Sequence, residues 1–223
     1  MSDHLERDGF AIIPNVINFE DRENLIALLG PVAGAGRRGL LQTSEIAELA
    51  ASAKFLDLIR LYLPAEPRAV RAIYFDKSPD ANWLVPWHQD LTLAVKKRTD
   101  VLGFGPWSVK ENVPHVQPPV ELLEQMLTIR LHLDDADVSN GALKVLPKSH
   151  CLGRLSAEQI QSLRQTESEH LCEAKAGDVL LMRPLLLHAS GRSTSERNRR
   201  VLHIEYAAFE LPSGLEWHET STF

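Results

Sequence analysis

Two rhythms of apolar and polar residues divide the chain. The stretch DGFAIIPNVI alternates as a short strand does and stops at Pro14, which has no amide hydrogen to give a ladder. Asn18 then stands where a helix needs its N-cap. Glu20 and Asp21 fall in the first turn, and Leu25, Leu28 and Leu29 share one face of FEDRENLIALL. SEIAELAASAKFLDLIRLYL has the strongest helical periodicity: Ser44 serves as cap, and Ile46, Leu49, Ala53, Leu56 and Ile59 recur until Pro64. One continuous helix is expected there.

From Arg68 onward the period drops to two. AVRAIYFD, WHQDLTLAV, QMLTIRLHLDD, GALKVLPKS, HLCEAKAGDVLLM, LLLHAS and RVLHIEYAAFEL read as short strands, separated at KSPDAN, DVSNGA and KAGD by the Pro, Asn, Asp and Gly that turns require. Only SAEQIQSLRQ interrupts them with a helix, for which Ser156 and Gln159 form a capping box. Many short strands without regular βα alternation predict a mainly β (α+β) protein: a double-stranded β-helix or jelly roll of the cupin-like kind, with N-terminal helices packed on one face. The expected layout is a single domain over residues 1–223, helical at about 15–65, with the jelly-roll core at about 68–210. GFGPWSVKENVPHVQPPVE, within a lid-like loop at about 103–120, is rich in proline and reads as poor in regular structure.

Composition narrows the partners. A formal net charge of -6 argues against a nucleic-acid partner, since only GRRG (Arg37, Arg38) and RNRR concentrate basic residues, and GRRG reads as a solvated loop. No apolar run is long enough for a membrane helix, and the charged N-terminus lacks the apolar core of a signal peptide. Two isolated cysteines, Cys151 and Cys172, suit a reducing cytoplasm. The sequence assigns no oligomeric state.

Chemistry enters with VPWHQDLTLAV. His88 and Asp90, two apart on one expected strand, would project to the same face, and LLLHASG delivers His188 at the end of another apolar strand. Two imidazoles and one carboxylate on the inner wall of a jelly roll would make a facial triad, holding three positions of an octahedral Fe(II) and leaving three open. A metal offsets the cost of burying such groups. Eleven residues after His188, Arg199 opens the next strand, where its fork could grip a buried carboxylate.

The order and separation of WHQD, NGALKVLPKSH (Asn140 to His150), AGDVLLMRPLLLHASG (Ala176 to Gly191) and Arg199 resemble the phytanoyl-CoA dioxygenase-like family of Fe(II)/2-oxoglutarate oxygenases, from Gly9 to Phe209. The resemblance implies that His88, Asp90 and His188 bind iron, and that Arg199, helped by Ser190, holds the distal carboxylate of the cosubstrate 2-oxoglutarate. Dioxygen would take the remaining site, with release of succinate and carbon dioxide as a small organic molecule is hydroxylated. A carboxylate at Asp90 fills the place that halide takes in related halogenases. Arg130 stands where the family often has an aromatic residue near the cosubstrate, so its contact is open between the cosubstrate and an acidic substrate.

Other polar residues receive plainer assignments. NGALKVLPKSH is structural, with Asn140 and Gly141 turning and Leu143 and Val145 packing inward; His150 is not counted as a ligand. His4, His170 and His218 are expected at the surface and His203 in the terminal strand. His132 and His115 stay open as substrate contacts, as does Trp107 on the loop and Trp83 before the metal pair. No basic groove for an acyl-CoA is evident. Two rival readings remain: a zinc-dependent hydrolase, which the same ligands would suit, and a non-catalytic cupin-like binding protein. Arg199 separates the first, because a hydrolase needs no grip for a buried diacid.

Overall fold

The computed structural model describes residues 2–32, 34 and 36–221 of the 223-residue chain. Its N-terminal part contains α1 (Ser2–Asp8), β1 (Phe10–Ile13), α2 (Phe19–Leu29), α3 (Ser44–Ala50) and α4 (Ala53–Arg60). Asn18 caps α2 as its side chain accepts the Asp21 amide at 2.8 Å. The single helix expected from Ser44 to Pro64 is two. The Ser52 hydroxyl donates back to the Leu49 carbonyl at 2.6 Å, while its own carbonyl accepts the amides of Phe55 and Leu56, so Ser52 ends one helix and starts the next. Thr43 takes the N-cap position of α3, and Ser44 is its first residue.

The remainder runs β2 (Arg68–Lys77), β3 (Val85–His88), β4 (Leu93–Ala94), β5 (Trp107–Lys110), β6 (Val113–Val116), α5 (Val120–Leu123), β7 (Met126–His132), β8 (Leu143–Val145), α6 (Ala157–Thr166), β9 (His170–Cys172), β10 (Val179–Met182), β11 (His188–Ser190) and β12 (Arg199–Ala207). A five-stranded sheet, β1-β10-β7-β12-β2, and a four-stranded sheet, β3-β11-β8-β9, are antiparallel throughout. They pack face to face through Leu180 and Met182 against Leu143, Val145 and Cys172, giving the expected jelly roll. The capping box of α6 is present, with Ser156 and Gln159 bonding reciprocally.

The larger sheet has two characters. Ala72, Tyr74, Leu127, Ile129, Leu131, Leu202 and Ile204 pack outward in one apolar cluster with Leu25, Leu29, Phe55 and Ile59 of the helices. Each large aliphatic side chain buried there contributes about 1.5–3 kcal/mol. The alternate residues of the same strands, Arg71, Ile73 and Phe75 of β2, Arg130 of β7, and Arg199, His203 and Glu205 of β12, line a cavity between the sheets. One periodicity thus supplies both the core and the site.

The segment 103–120 departs from expectation. It holds β5 and β6, which form a hairpin that β4 extends into a third sheet. Glu111 and Asn112 make its two-residue turn with φ of 51° and 65°, the left-handed pair that a tight hairpin needs. No helix among the described residues is long and apolar enough to cross a membrane.

Candidate active site

β11 lies between β3 and β8, and its register places His188 directly opposite His88. Their rings sit 4.2 Å apart, centroid to centroid. Each Nδ1–H donates to a backbone carbonyl at 2.8 Å, His88 to Pro86 and His188 to Leu186. A carbonyl only accepts, so these bonds put the proton on Nδ1 and leave both Nε2 lone pairs toward the cavity. Asp90 meets them there, with Oδ1 3.8 Å from Nε2 of His88 and Oδ2 3.7 Å from Nε2 of His188. The three donor atoms all lie within 4.8 Å of one another. Burial pushes His188 down to about 4, keeping it neutral and ligand-competent at neutral pH. For Asp90, burial works upward, but the field of His188, His203 and His88 outweighs it and holds the carboxyl well below its usual range.

Asp90 does not reach this point from a strand. β3 ends at His88, and Asp90 stands in irregular backbone whose amide donates to Pro184 at 2.9 Å. What fixes it is Gln89, a residue the sequence reading passed over. Its amide nitrogen donates to Gly153 at 2.8 Å and Leu185 at 2.7 Å, and its oxygen accepts from Leu155 at 2.9 Å. Ser149 does similar service next to His188, accepting the Leu187 amide at 2.8 Å while donating to Leu146. The NGALKVLPKSH segment is therefore structural, and His150 faces the Glu6 carbonyl, away from the three donors.

A second centre forms where β2 and β12 pair. Lys77 and Arg199 are cross-strand partners. Both converge on Ser190, whose oxygen accepts from Lys77 at 2.9 Å and from Arg199 at 3.4 Å while its hydroxyl donates to Gly141 at 2.8 Å. Lys77 also donates to Gly191 at 2.5 Å, and Arg199 Nε to Asn140 at 3.2 Å. Burial, then Arg199, Arg130 and Arg192, push Lys77 down to about 7; burial and Arg130 bring Arg199 to about 9. Among the described residues neither cation has an acidic partner within salt-bridge distance, and Nη1 of Arg199 is buried without any hydrogen bond. Two buried cations sharing one neutral hydroxyl are the setting that a carboxylate ligand completes. Lys77 was visible in principle, because it continues the inward phase of Arg71, Ile73 and Phe75.

Arg130 lines the cavity, donating to Nδ1 of His203 at 3.0 Å with its guanidinium 5.7 Å from the Phe75 ring. His203 passes the chain on to Glu205 at 3.2 Å, and Glu205 accepts from Arg71 at 3.1 Å. Trp83 lines the cavity as well. The residues left open as substrate contacts fall elsewhere. His132 and His115 are buried outside the cavity lining, and Trp107 packs into an apolar cluster beside the hairpin. Arg38 of GRRG is no solvated bystander: it lines the cavity and pairs with Glu111. His4 and His170 are exposed, His218 is half-buried, and His203 lies in β12.

Comparison with known proteins gives the family and the fold. A probable alpha-ketoglutarate-dependent hypophosphite dioxygenase of Stutzerimonas stutzeri is 28% identical over 183 residues, covering 75% of this chain. The chain spans about half the length of that relative, 54%. The crystal structure of EctD from S. alaskensis in its apo form superposes with a TM-score of 0.71 at 19% identity, over 93% of this chain and 75% of that one. The epimerase SnoN, crystallised with Fe3+, alpha ketoglutarate and nogalamycin RO, gives 0.66 at 16% identity, over 92% and 81%. These two likenesses establish the fold. The family model described as phytanoyl-CoA dioxygenase (PhyH) matches residues 5–201, and the chain belongs to that family.

Proposed function

We propose that the chain is an Fe(II)- and 2-oxoglutarate-dependent dioxygenase that hydroxylates a small molecule, with His88, Asp90 and His188 as iron ligands and Arg199, Ser190 and Lys77 as the seat of the distal carboxylate. The observation that carries this reading is the pairing of three convergent donors, His88 and His188 with free Nε2 lone pairs and Asp90 with a buried Oδ2 lacking any hydrogen bond, with a separate, uncompensated cation pair. Iron chelated by the keto acid would supply the oxidising power for dioxygen chemistry.

The residues divide the remaining work. The Pro86 and Leu186 carbonyls fix both imidazole tautomers, and Gln89 fixes the turn that aims Asp90. Asp90 would fill one ligand position of the iron with a carboxylate, which would favour hydroxylation over halogenation. Arg199 and Lys77 orient the cosubstrate by its far end, while Arg130, held by His203, stands close enough to lend a further positive charge to either bound acid. Ile73, Phe75, Trp83 and Val85 restrict water around the target. The Lys77–Arg199 pair disfavours the zinc-hydrolase alternative, which has no use for it. We take the chain as one domain, since the N-terminal helices share a core with β7, β10 and β12, and the cytoplasm as its compartment, in keeping with the free thiols of Cys151 and Cys172.

The test is anaerobic titration with Fe(II) and 2-oxoglutarate followed by admission of dioxygen. Succinate should form in the wild type and not in His88→Ala, and Arg199→Ala should chiefly weaken 2-oxoglutarate binding. Succinate formation undiminished in His88→Ala would overturn the assignment.

A further inference from the structure

The cavity is basic although the chain is acidic. Its volume is about 450 Å³, and its lining carries five arginine and lysine side chains, Arg38, Arg71, Lys110, Arg130 and Arg199, against two carboxylates, Asp90 and Glu205. The inner cations are accounted for by the proposed cosubstrate seat. Arg38, Arg71 and Lys110 are not.

These three come from separate elements: the loop after α2, strand β2, and the hairpin strand β5. Arg71 and Lys77 point the same way from one strand six residues apart, which separates the outer group from the inner pair by roughly 20 Å of β2. Ile73 and Phe75 of β2 lie between, with His203 paired to Ile73 and Arg130 paired to His203. A five-carbon diacid seated on Lys77 and Arg199 is too short to reach across. The outer group therefore needs a different anion. Its own acids only partly neutralise it: Glu205 accepts from Arg71 and Glu111 pairs with Arg38, but among the described residues Lys110 is held only by the Thr92 hydroxyl at 3.4 Å. Among the described residues Nε of Arg38 is buried without a hydrogen-bond partner. Thr92, beside Lys110, lies two residues beyond Asp90, so an anion on the outer cations sits next to the proposed metal ligands on the side away from Arg199.

We propose that Arg71, Lys110 and Arg38 form a second oxyanion seat, and that the primary substrate is a small acid held there by a carboxylate or phosphoryl group. This rests on the oxygenase reading. The seat sets specificity: the charged end is anchored outside, and the atom to be oxidised is directed inward past Leu91 and Phe75 toward the three donors.

The experiment uses protein loaded anaerobically with Mn(II) and saturating 2-oxoglutarate, so that the inner cations are occupied. Loading is read first from the Mn(II) magnetic resonance spectrum. The loaded protein is then titrated by calorimetry with inorganic phosphate, acetate and glycerol. Phosphate or acetate should bind and glycerol should not, the tighter of the two anions naming the group. Lys110→Gln and Arg38→Gln, at an exposed and a half-exposed position respectively, should each weaken the anion by about tenfold, the loss expected for a charge-assisted contact of roughly 1.4 kcal/mol. Anion affinity equal in the wild type and both variants, or glycerol binding as well as the anions do, overturns the seat. Failure of Mn(II) and 2-oxoglutarate to load at all overturns the oxygenase reading itself, and the substrate assignment with it.

Discussion

His88 and His188 are direct antiparallel partners, one on β3 and one on β11, a hundred residues apart in sequence and 4.2 Å apart between ring centres. Because backbone carbonyls fix both rings, the donor geometry exists before any ion arrives. Mn(II) at a hundred times its dissociation constant should raise stability by about 2.7 kcal/mol, read as a higher melting temperature that chelation reverses. Asp90→Asn, which keeps the shape and removes the charge, should lose most of this increment.

Gln89 tests positioning. Gln89→Leu preserves volume but leaves the Leu155 amide and the Gly153 and Leu185 carbonyls without their partner, at about 1–3 kcal/mol for each buried group left unpaired. Urea unfolding should register the loss. Because the released turn carries Asp90, kcat should fall while KM for 2-oxoglutarate changes little.

Lys77 predicts a pH dependence. With its ligand-free value near 7, the ammonium is present below neutrality and lost above it. A carboxylate favours the charged form, so 2-oxoglutarate should bind best below pH 7 and weaken as pH rises toward 8.5, by up to about tenfold per unit. The charged groups whose fields reach it, Arg199, Arg130 and Arg192, are all cations, so none of them holds the Lys77 proton in place. Lys77→Met should bind weakly and with a shallower slope over the same window, the remainder coming from Arg199, which burial and Arg130 bring to about 9. The folded value also lies below the ordinary 10.5, so the unfolded chain holds the extra proton and ligand-free stability should climb between pH 7 and 10.5.

Gly141 has φ +72°, and a Cβ there would lie 2.5 Å from the Gly191 carbonyl oxygen. Its own carbonyl accepts the Ser190 hydroxyl. Gly141→Ala should cost about 1–3 kcal/mol in backbone strain, besides displacing Ser190. Weaker 2-oxoglutarate binding with metal uptake retained is the expected signature, measured by parallel calorimetric titrations.

Periodicity was enough to read the jelly roll and the helices around Leu25 and Ile160, whereas Asp90 meets His88 and His188 from irregular backbone, off the strand on which its spacing from His88 placed it. Local composition misled where tertiary contacts decide. GRRG looks solvated because nothing nearby in sequence reveals that Arg37 bridges to Tyr74 and carries Arg38 to the cavity. The 103–120 hairpin was hidden by its prolines and by a turn in which Glu111, a residue with no preference for positive φ, adopts it. Ser52 broke a helix whose apolar spacing runs on unbroken. Lys77 and Gln89 went unseen for opposite reasons: the first sits at the end of a strand, where a lysine normally escapes to water, and the second has its side chain turned away from the ligands it steadies.

The β2–β12 ladder pairs nine residues of β12 against β2 and presents alternate side chains to opposite layers. Sliding β12 by a single position would turn Arg199, His203 and Glu205 into the oily layer beneath the helices and push Leu202 and Ile204 into the reaction chamber. Gain or loss of one residue between Arg199 and Glu205 should therefore destroy activity and stability together.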